Sequence, residues 1–248
     1  MLDRRWAQVA GIAGILFFVF ILGTILTGGS VDTTSSAADI ASYVTQHHTA
    51  VAVNSLLGVA GSSVILLFFV PLAQIVRERD GGSPLGTIIL VSGTSLVALT
   101  MLANLPQAAL AMASTQPGGL GNASTVAALW DLGLQIVIPG GTGFLFTIFL
   151  GAIGIAMLQR AFAATWLGWL SVVIGIVWVP TDIAGILTNN QTYMGTLGIL
   201  SLAGFGIVVV ATSVYLLRYR PAAGRSPAPR RAEDTPLDAG APAPGTAN

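Results

Sequence analysis

Long apolar stretches separated by short polar breaks make up most of this chain. Six of them are long enough to cross a hydrocarbon core: residues 6–27, 51–76, 83–113, 125–158, 162–187 and 194–217. A core of about 30 Å takes roughly 20 residues of helix. The pattern therefore predicts an all-α protein, built as a polytopic bundle of six transmembrane spans.

Two helix starts are marked by local signals. Residues 37–48 place apolar side chains at i, i+3 and i+4 spacing, with Asp39 as the expected cap. This spacing predicts a short amphipathic helix that lies at the membrane interface after the first span. Ser83 and Pro84 fit the N-cap and the first helical position of the third span.

The fourth stretch, residues 125–158, is too long for one straight span. A proline and three glycines interrupt it at residues 139–143. Proline removes a backbone donor, so we expect a kink or local unwinding there, with a discontinuous helix of the transporter kind as the alternative. Gly143, Thr147 and Gly151 lie four residues apart and predict a face of close helix packing.

The composition favours a membrane location. Hydrophobic residues make up 54% of the chain and charged residues 8%, with a mean hydropathy of +0.81. Soluble domains carry about 25% charged residues. So few charges cannot cover a surface that faces water, but they suit one that faces lipid. The formal net charge is zero, which gives no reason to expect nucleic acid as a partner.

Missing residue types exclude several chemistries. Cysteine and lysine are both absent, which excludes disulfides, thiolate metal sites, a phosphate-loop lysine and a Schiff-base lysine. The motifs HExxH, GxSxG and DDxxD do not occur either. The sequence therefore predicts no catalytic residue, no metal site and no cofactor.

The arginines divide the polar breaks into two sides. All ten arginines fall in the N-terminal segment, the turn after residue 76, the turn at Arg160 and the tail. The loops around residues 32–48, 116–122 and 189–193 contain none. By the positive-inside rule, the first side is cytoplasmic and both termini lie there.

Polar side chains within the apolar stretches gather toward the predicted outer leaflet. Asn104 lies near the outer end of the third span, Asp131 and Gln135 near the outer start of the fourth, and Asp182 near the outer end of the fifth. An ionised carboxylate in hydrocarbon costs at least ~2.5–3.5 kcal/mol on insertion scales. We predict an outward-facing site for a small cation, a proton or a polar substrate at these four residues. Hydrogen bonding between helices is the alternative interpretation.

Two other polar pairs have simpler explanations. Asn104 and Gln107 flank Pro106, so we expect them to repair the hydrogen bond that this proline removes. His47 and His48 point about 100° apart on a helix, since each residue turns it by that angle. We therefore expect solvated histidines rather than a metal-binding pair.

The composition changes abruptly near the C-terminal end. From residue 218 onward, Pro, Ala and Gly replace the apolar residues. Such a segment cannot bury enough apolar surface to offset its chain entropy. The predicted organisation is one six-helix transmembrane domain, residues 1–220, followed by a disordered Pro/Ala-rich cytoplasmic tail, residues 221–248.

Two segments carry a resemblance to a known group of proteins. AQVAGIAG at residues 7–14 and SYVTQHH at residues 42–48, together with the tail, resemble uncharacterised multi-pass membrane proteins of actinobacteria. These proteins form a domain-of-unknown-function family. The resemblance covers residues 1–220, and it implies six helices, a bacterial plasma membrane and no established catalytic residue.

The leading functional hypothesis is a non-enzymatic integral membrane protein, a small transporter or permease-like subunit with its site at Asp131, Gln135 and Asp182. Its partners are then the lipid bilayer and a small cation, a proton or a lipid. The alternative is a membrane-embedded enzyme acting on a lipid or isoprenoid, with an aspartate as general acid. That alternative predicts a deep apolar pocket beside Asp182 or Asp131. A structural or partner-binding subunit, a bundle without a cavity, is the second alternative.

The topology is testable with reporter fusions. A fusion at Arg160 should be active as a cytoplasmic reporter and inactive as a periplasmic one, because guanidinium groups are retained on the cytoplasmic side. A fusion within residues 116–122 should give the opposite result and serves as the control. Periplasmic activity at Arg160 would contradict the predicted orientation.

Overall fold

The computed structural model describes residues 4–27, 35–79, 83–133, 142–159, 163–188 and 191–219, and it describes the backbone alone at residues 181–182, 184–188 and 191–199. These residues form helices and contain no strand. The helices are α1 (Arg4–Thr27), α2 (Ala37–Gln46), α3 (His48–Arg79), α4 (Leu85–Ala113), α5 (Ala123–Asp131), α6 (Gly143–Leu158), α7 (Thr165–Thr188) and α8 (Gln191–Leu217). The all-α prediction is confirmed for this part of the chain.

The six longer helices close into a ring. Along the ring, α1 packs against α3, α3 against α4, α4 against α6, α6 against α7, α7 against α8, and α8 returns to α1. Neighbours in the ring are therefore neighbours in sequence, apart from the closing contact of α1 with α8 and the two short helices that intervene. This order suits apolar helices joined by short connections.

Aromatic side chains meet inside the ring. The Phe69 ring of α3 lies 4.7 Å from that of Phe149 in α6, and Phe205 of α8 lies 4.9 Å from Phe146 of α6. Phe17 of α1 also contacts Phe205, edge to face at 6.0 Å. Such edge-to-face pairs are favourable beyond simple packing. The pairs between α3 and α6 and between α6 and α8 connect helices that are not adjacent along the ring.

The helix α1 buries its smallest side chains and exposes most of its large aliphatic ones. Ala7, Ala10, Gly11, Ala13 and Gly14 are buried. Ile12, Leu16, Val19, Leu22 and Ile25 are exposed. Small inward residues let the backbones of α3 and α8 approach closely, which is how helices associate in lipid.

One end of the ring carries arginines, and we call it the arginine end. Arg77 of α3 donates to Thr87 Oγ1 of α4 at 3.0 Å, and Arg79 donates to the Tyr215 hydroxyl of α8 at 3.2 Å. The Arg79 guanidinium also lies over the Tyr219 ring, 5.2 Å from its centroid. These contacts place the end of α3, the start of α4 and the end of α8 on the same side.

The two short helices form a cap at the opposite end. Both α2 and α5 contact α4, and they pack on each other around a second, smaller core. That core contains Ile40, Val44, Val51, Leu110, Ala111, Val126 and Trp130. The Tyr43 ring of α2 meets the Trp130 ring of α5 at 5.9 Å, 75° from parallel. The predicted amphipathic helix is therefore present, and its apolar face packs on protein.

The cap of α2 differs from the predicted one. Ser36 is the N-cap, and its hydroxyl accepts from the Asp39 backbone N–H at 3.2 Å. The Asp39 carboxylate accepts from the Ser36 hydroxyl at 2.7 Å and from the Ser36 N–H at 3.1 Å, and these two bonds, the hydroxyl bond first, lower the pKa of Asp39. The bond from the Ser36 N–H completes a capping box. Asp39 as the cap itself was wrong, because its position three residues into the helix suits the reciprocal bond. At α4 the predicted start was wrong by one residue, because Pro84 is the N-cap and the helix begins at Leu85, while Ser83 Oγ accepts from the Leu85 N–H at 3.2 Å.

Four helices are long and apolar enough to cross a membrane among the residues that the structure describes. They are α1, α3, α4 and the Leu200–Leu217 part of α8. Two shorter apolar helices, α6 and the Thr165–Pro180 part of α7, complete the set. The chain is thus built as a membrane-embedded helical protein, while the six-span topology stays a prediction.

The fourth apolar stretch is divided between two helices. The shorter one, α5, ends at Asp131 and is followed by a π-type turn at Leu132 and Gly133, whereas α6 begins at Gly143. Pro139 and its neighbours, where a kink or unwinding was predicted, lie outside the described residues. The two described helices have different sets of neighbours, since α5 packs against α2 and α4, whereas α6 packs against α4 and α7.

The predicted packing face on α6 is only partly right. Thr147 Oγ1 donates to the Gly175 carbonyl of α7 at 2.7 Å, so Thr147 does lie on a helix contact. Gly151 was wrong, because a Cβ added there would meet nothing within 4 Å. The close approach lies at Gly154 and Gly168, where an added Cβ on Gly154 would lie 2.8 Å from the Gly168 carbonyl oxygen.

A matched pair of substitutions tests this contact. Gly154→Ala should destabilise the folded protein by about 1–3 kcal/mol, because the backbone of α7 must move to make room. Gly151→Ala is the control and should be neutral or stabilising by up to about 1 kcal/mol, since alanine favours helix and no neighbour is near. Unfolding in mild detergent micelles measures both. Equal stabilities of the two variants would contradict the close approach.

Candidate functional site

A cavity of about 250 Å³ lies among the six helices of the ring. Each of the six contributes to its wall. Representative lining residues, one from each helix in chain order, are Phe17, Ile65, Val97, Phe146, Trp178 and Phe205. The cavity is thus a property of the whole ring rather than of one pair of helices, and we call it the central cavity.

Large aromatic side chains form much of this wall. Phe146 stacks on Trp178 with ring centroids 5.0 Å apart and planes 9° from parallel, and it meets Phe205 edge to face. Rigid aromatic rings that pack on one another cannot change conformation to fill the cavity, as flexible side chains can. An apolar cavity of about 150 Å³ in another protein binds benzene. The central cavity therefore has room for a somewhat larger apolar molecule.

The hydroxyl groups in the wall are engaged within their own helices. Ser62 donates to the Gly58 carbonyl at 2.8 Å, and Thr100 donates to the Leu96 carbonyl at 2.8 Å. Both bonds run to the residue four positions earlier, the usual partner of serine and threonine inside a helix. The hydroxyl hydrogens of these two side chains are therefore not available to the cavity, and the wall is predominantly apolar.

Trp178 is the exception in that wall. Its Nε1 atom is buried, and no acceptor among the described residues bonds to it. The indole N–H is a donor only, so it needs an acceptor to replace the water it loses on burial. This unpaired N–H was not predictable from the sequence, because tryptophan in an apolar stretch is expected as packing or as part of an aromatic belt.

Asn104 makes a structural bond. Its side-chain N–H donates to the Thr100 carbonyl at 2.7 Å, and its amide packs against Gly58 of α3, where an added Cβ would collide with it. The predicted repair of the Pro106 break does not occur through this residue. The carbonyl that Pro106 leaves without its helical donor is that of Leu102, two residues beyond the acceptor that Asn104 uses.

Asn54 and Gln107 also serve packing. Asn54 donates to the Thr24 carbonyl at 2.7 Å and so connects α3 with α1. Gln107 is only 7% exposed. An added Cβ on Gly133 would approach its Nε2 to 3.7 Å, so Gln107 lies where α4 meets the end of α5. The Asn54 bond is thus a hydrogen bond between helices, and Gln107 is buried at a helix contact.

The acidic residues of the predicted site are only partly described. Asp131 is the last residue of α5, is partly buried and interacts with a partner of its own. Gln135 lies outside the described residues. The backbone of Asp182 lies in α7, two residues after Pro180, and its side chain is outside the described part. Asp131 and Asn104 lie on helices that adjoin, because Gly133 packs on the Ala103 carbonyl.

The two histidines lie where α2 meets α3. His47 stacks on Tyr43 with centroids 4.7 Å apart, and its Nδ1 lies 3.2 Å from the Tyr43 carbonyl. His48 Nδ1 lies 3.3 Å from the Thr45 carbonyl. Both hydrogen bonds are exposed, which fits solvated histidines. In the described part of the chain, no group of three histidine or acidic residues is close enough to hold a metal ion.

Comparisons with known proteins add no relative. No family model matches this chain, and no match was found among curated proteins or among solved structures.

Proposed function

We propose that this chain is a small membrane transporter or permease-like subunit that takes a small apolar or amphipathic molecule into the central cavity. The observation that carries the proposal is the cavity itself, to which all six helices of the ring contribute. A purely structural bundle gains from filling such space. An unfilled space among helices forgoes the dispersion contacts that its lining residues would otherwise make.

The character of the wall decides the class of molecule. Aromatic and aliphatic side chains form most of the wall, and Ser62 and Thr100 direct their hydroxyl hydrogens into their own helices. A polar or ionic molecule would lose its hydration there without replacement. The apolar part of the transported molecule therefore belongs in the cavity, and a polar or cationic part belongs at the predicted outer site.

The outer site remains part of the proposal. We place Asp131, Gln135 and Asp182 on the periplasmic side, with Asn104 between them and the cavity, in the plasma membrane of an actinobacterium. Both termini are then cytoplasmic. Asn104 supports this placement, since it bonds to the carbonyl of Thr100, which lines the cavity. A small cation or a proton bound at the two aspartates would couple to movement of the substrate.

One observation favours the enzyme as a second candidate. A membrane-embedded enzyme acting on a lipid or isoprenoid needs an apolar pocket next to its general acid. Trp178 lines the central cavity, and Asp182 follows it by four residues, one helical turn further along α7. Asp182 is then the general acid of that alternative.

Filling the cavity tests the proposed binding. Val97→Phe should lower saturable photolabelling of the cavity by a naphthalene-sized diazirine at least about tenfold, because the new ring occupies the binding space and tenfold corresponds to only about 1.4 kcal/mol. The matched control is Val91→Phe on the same helix, whose side chain is 58% exposed. Labelling is measured in lipid nanodiscs with the labelled peptides identified by mass spectrometry. Equal labelling of both variants would argue against the cavity as a binding site.

Asp182→Asn separates the two candidate functions. In reconstituted vesicles, a transporter coupled through Asp182 loses flux of its responsive substrates in this variant, and neither protein changes the chemical composition of the lipids. An enzyme instead converts a lipid in the wild type only, which mass spectrometry of the extract detects. Asp32→Asn, an acid in the same predicted outer region, is the control and should behave as wild type. Unchanged flux with unchanged lipids would contradict both roles of Asp182.

A further inference from the structure

The arginine end of the ring also includes the start of α1. This helix runs antiparallel to α3, and glycines bring the two into contact at three levels. The contacts are Gly14 with Phe68, Phe20 with Gly61, and Gly23 with Leu57. Continuing this register to the start of α1 brings Arg4 and Arg5 level with the last turn of α3, which contains Arg77 and Arg79.

The end of α8 brings a fifth arginine to the same region. A Cβ added to Gly11 of α1 would lie 2.7 Å from Leu217 Cγ, so α1 and α8 are in close contact at the last residue of α8. Arg218 follows directly and is exposed. Arg79 of α3 also reaches α8, since it donates to the Tyr215 hydroxyl at 3.2 Å. The ends of α1, α3 and α8 therefore carry five exposed arginines in one region.

Acidic side chains do not balance these cations. On the described ends of α1, α3 and α8, Glu78 is the only acidic residue. Counting Asp3 and Asp80, which adjoin these ends in the sequence, five arginines stand against three acids. In the part of the chain that the structure describes, Arg4 and Arg218 form no ion pair. Like charges gathered at one end of a bundle create a positive potential, which attracts anions.

An exposed strip on one face of α1 continues from these arginines. Its residues, spaced by four, three and four positions, are Arg5, Val9, Ile12 and Leu16. This spacing keeps them on the same side of a helix. The adjacent Trp6 is 56% exposed, and tryptophan favours the headgroup level of a bilayer. A cationic region that continues into an aliphatic face matches an anionic head joined to hydrocarbon chains, rather than a free anion.

We propose that the arginine end binds an anionic phospholipid, with its phosphate near Arg4 and Arg218 and its acyl chains along the exposed strip of α1. Guanidinium groups hold phosphate oxygens through charge-assisted hydrogen bonds, and basic clusters between helix ends recognise anionic headgroups. A zwitterionic lipid has the same phosphate, but it carries a cationic amine that the arginines repel. The site is separate from the central cavity, where the proposed transport substrate binds.

Two lipids with identical acyl chains isolate the contribution of the headgroup. Dioleoylphosphatidylglycerol and dioleoylphosphatidylcholine are each titrated into the full chain in maltoside micelles, and native mass spectrometry counts the bound molecules. The wild type should bind the anionic lipid at least about tenfold more tightly, which corresponds to about 1.4 kcal/mol. Added salt should reduce this preference, because it screens exposed charges. Glycerol 3-phosphate, a phosphate headgroup without chains, should not compete.

Two double variants with the same change in net charge locate the site. Arg4→Gln with Arg218→Gln removes two cations from the arginine end and should reduce the preference at least about fivefold, because each cation near an anionic surface adds to the attraction. Arg225→Gln with Arg230→Gln removes two cations from the tail, and it should leave the preference unchanged. If the first variant does not fold, the headgroup preference of the wild type and its salt dependence decide.

The remaining outcomes would each overturn the inference. They are equal affinity of the wild type for both lipids, a preference that salt does not reduce, and a preference that both double variants retain in full or lose to the same extent. Competition by glycerol 3-phosphate at the affinity of the lipid would show that the site takes a free anion, which overturns the lipid as its occupant. None of these outcomes bears on the central cavity, whose binding the diazirine labelling tests separately.

Discussion

The close approach of helix backbones at glycine holds this ring together. In lipid, apolar side chains gain nothing by leaving the solvent, so helices associate through van der Waals contact and occasional hydrogen bonds. Gly154 and Gly168 bring α6 and α7 together backbone to backbone, and Gly14 of α1 makes room for the side chains of Phe68 and Ser213. Without such contacts, the helices would stand further apart, and the ring would lose the walls of its cavity.

The cavity follows from the same geometry. Small residues let the helices approach closely where they contact one another. Bulky rings such as Phe69, Phe146 and Trp178 line the cavity and keep the helices apart at the centre. Ser62 and Thr100 in the wall donate to carbonyls of their own helices, so the wall is predominantly apolar. The polar amides Asn54 and Asn104 are placed nearer the end that carries the cap, where they connect helices rather than line the space.

Hydropathy was enough to predict the elements but not the site. The spans at 51–76 and 83–113 correspond to α3 and α4, and the short helix after the first span is α2. The cavity was not predictable, because residues that line it are of the same types as those that face lipid. The wrong assignment of Gly151 has a related cause. Gly151 and Gly154 both fit small-residue spacing, and only the neighbouring helix shows which one is in contact.

The distribution of side-chain sizes around α1 shows which property of the sequence specifies its packing. On this helix the bulky aliphatic side chains point away from the protein and the smallest ones point into it, which is the reverse of a water-soluble helix. Polarity is nearly uniform around its circumference, so side-chain volume distinguishes most of the inner surface from the outer, apart from Phe17 and Ile21, which line the cavity. The exposed side chains of α1 can then be replaced by polar ones without changing the contacts of its buried face. If the lipid-facing residues were replaced by charged ones, the bundle should keep its interior contacts and fold in water without a bilayer.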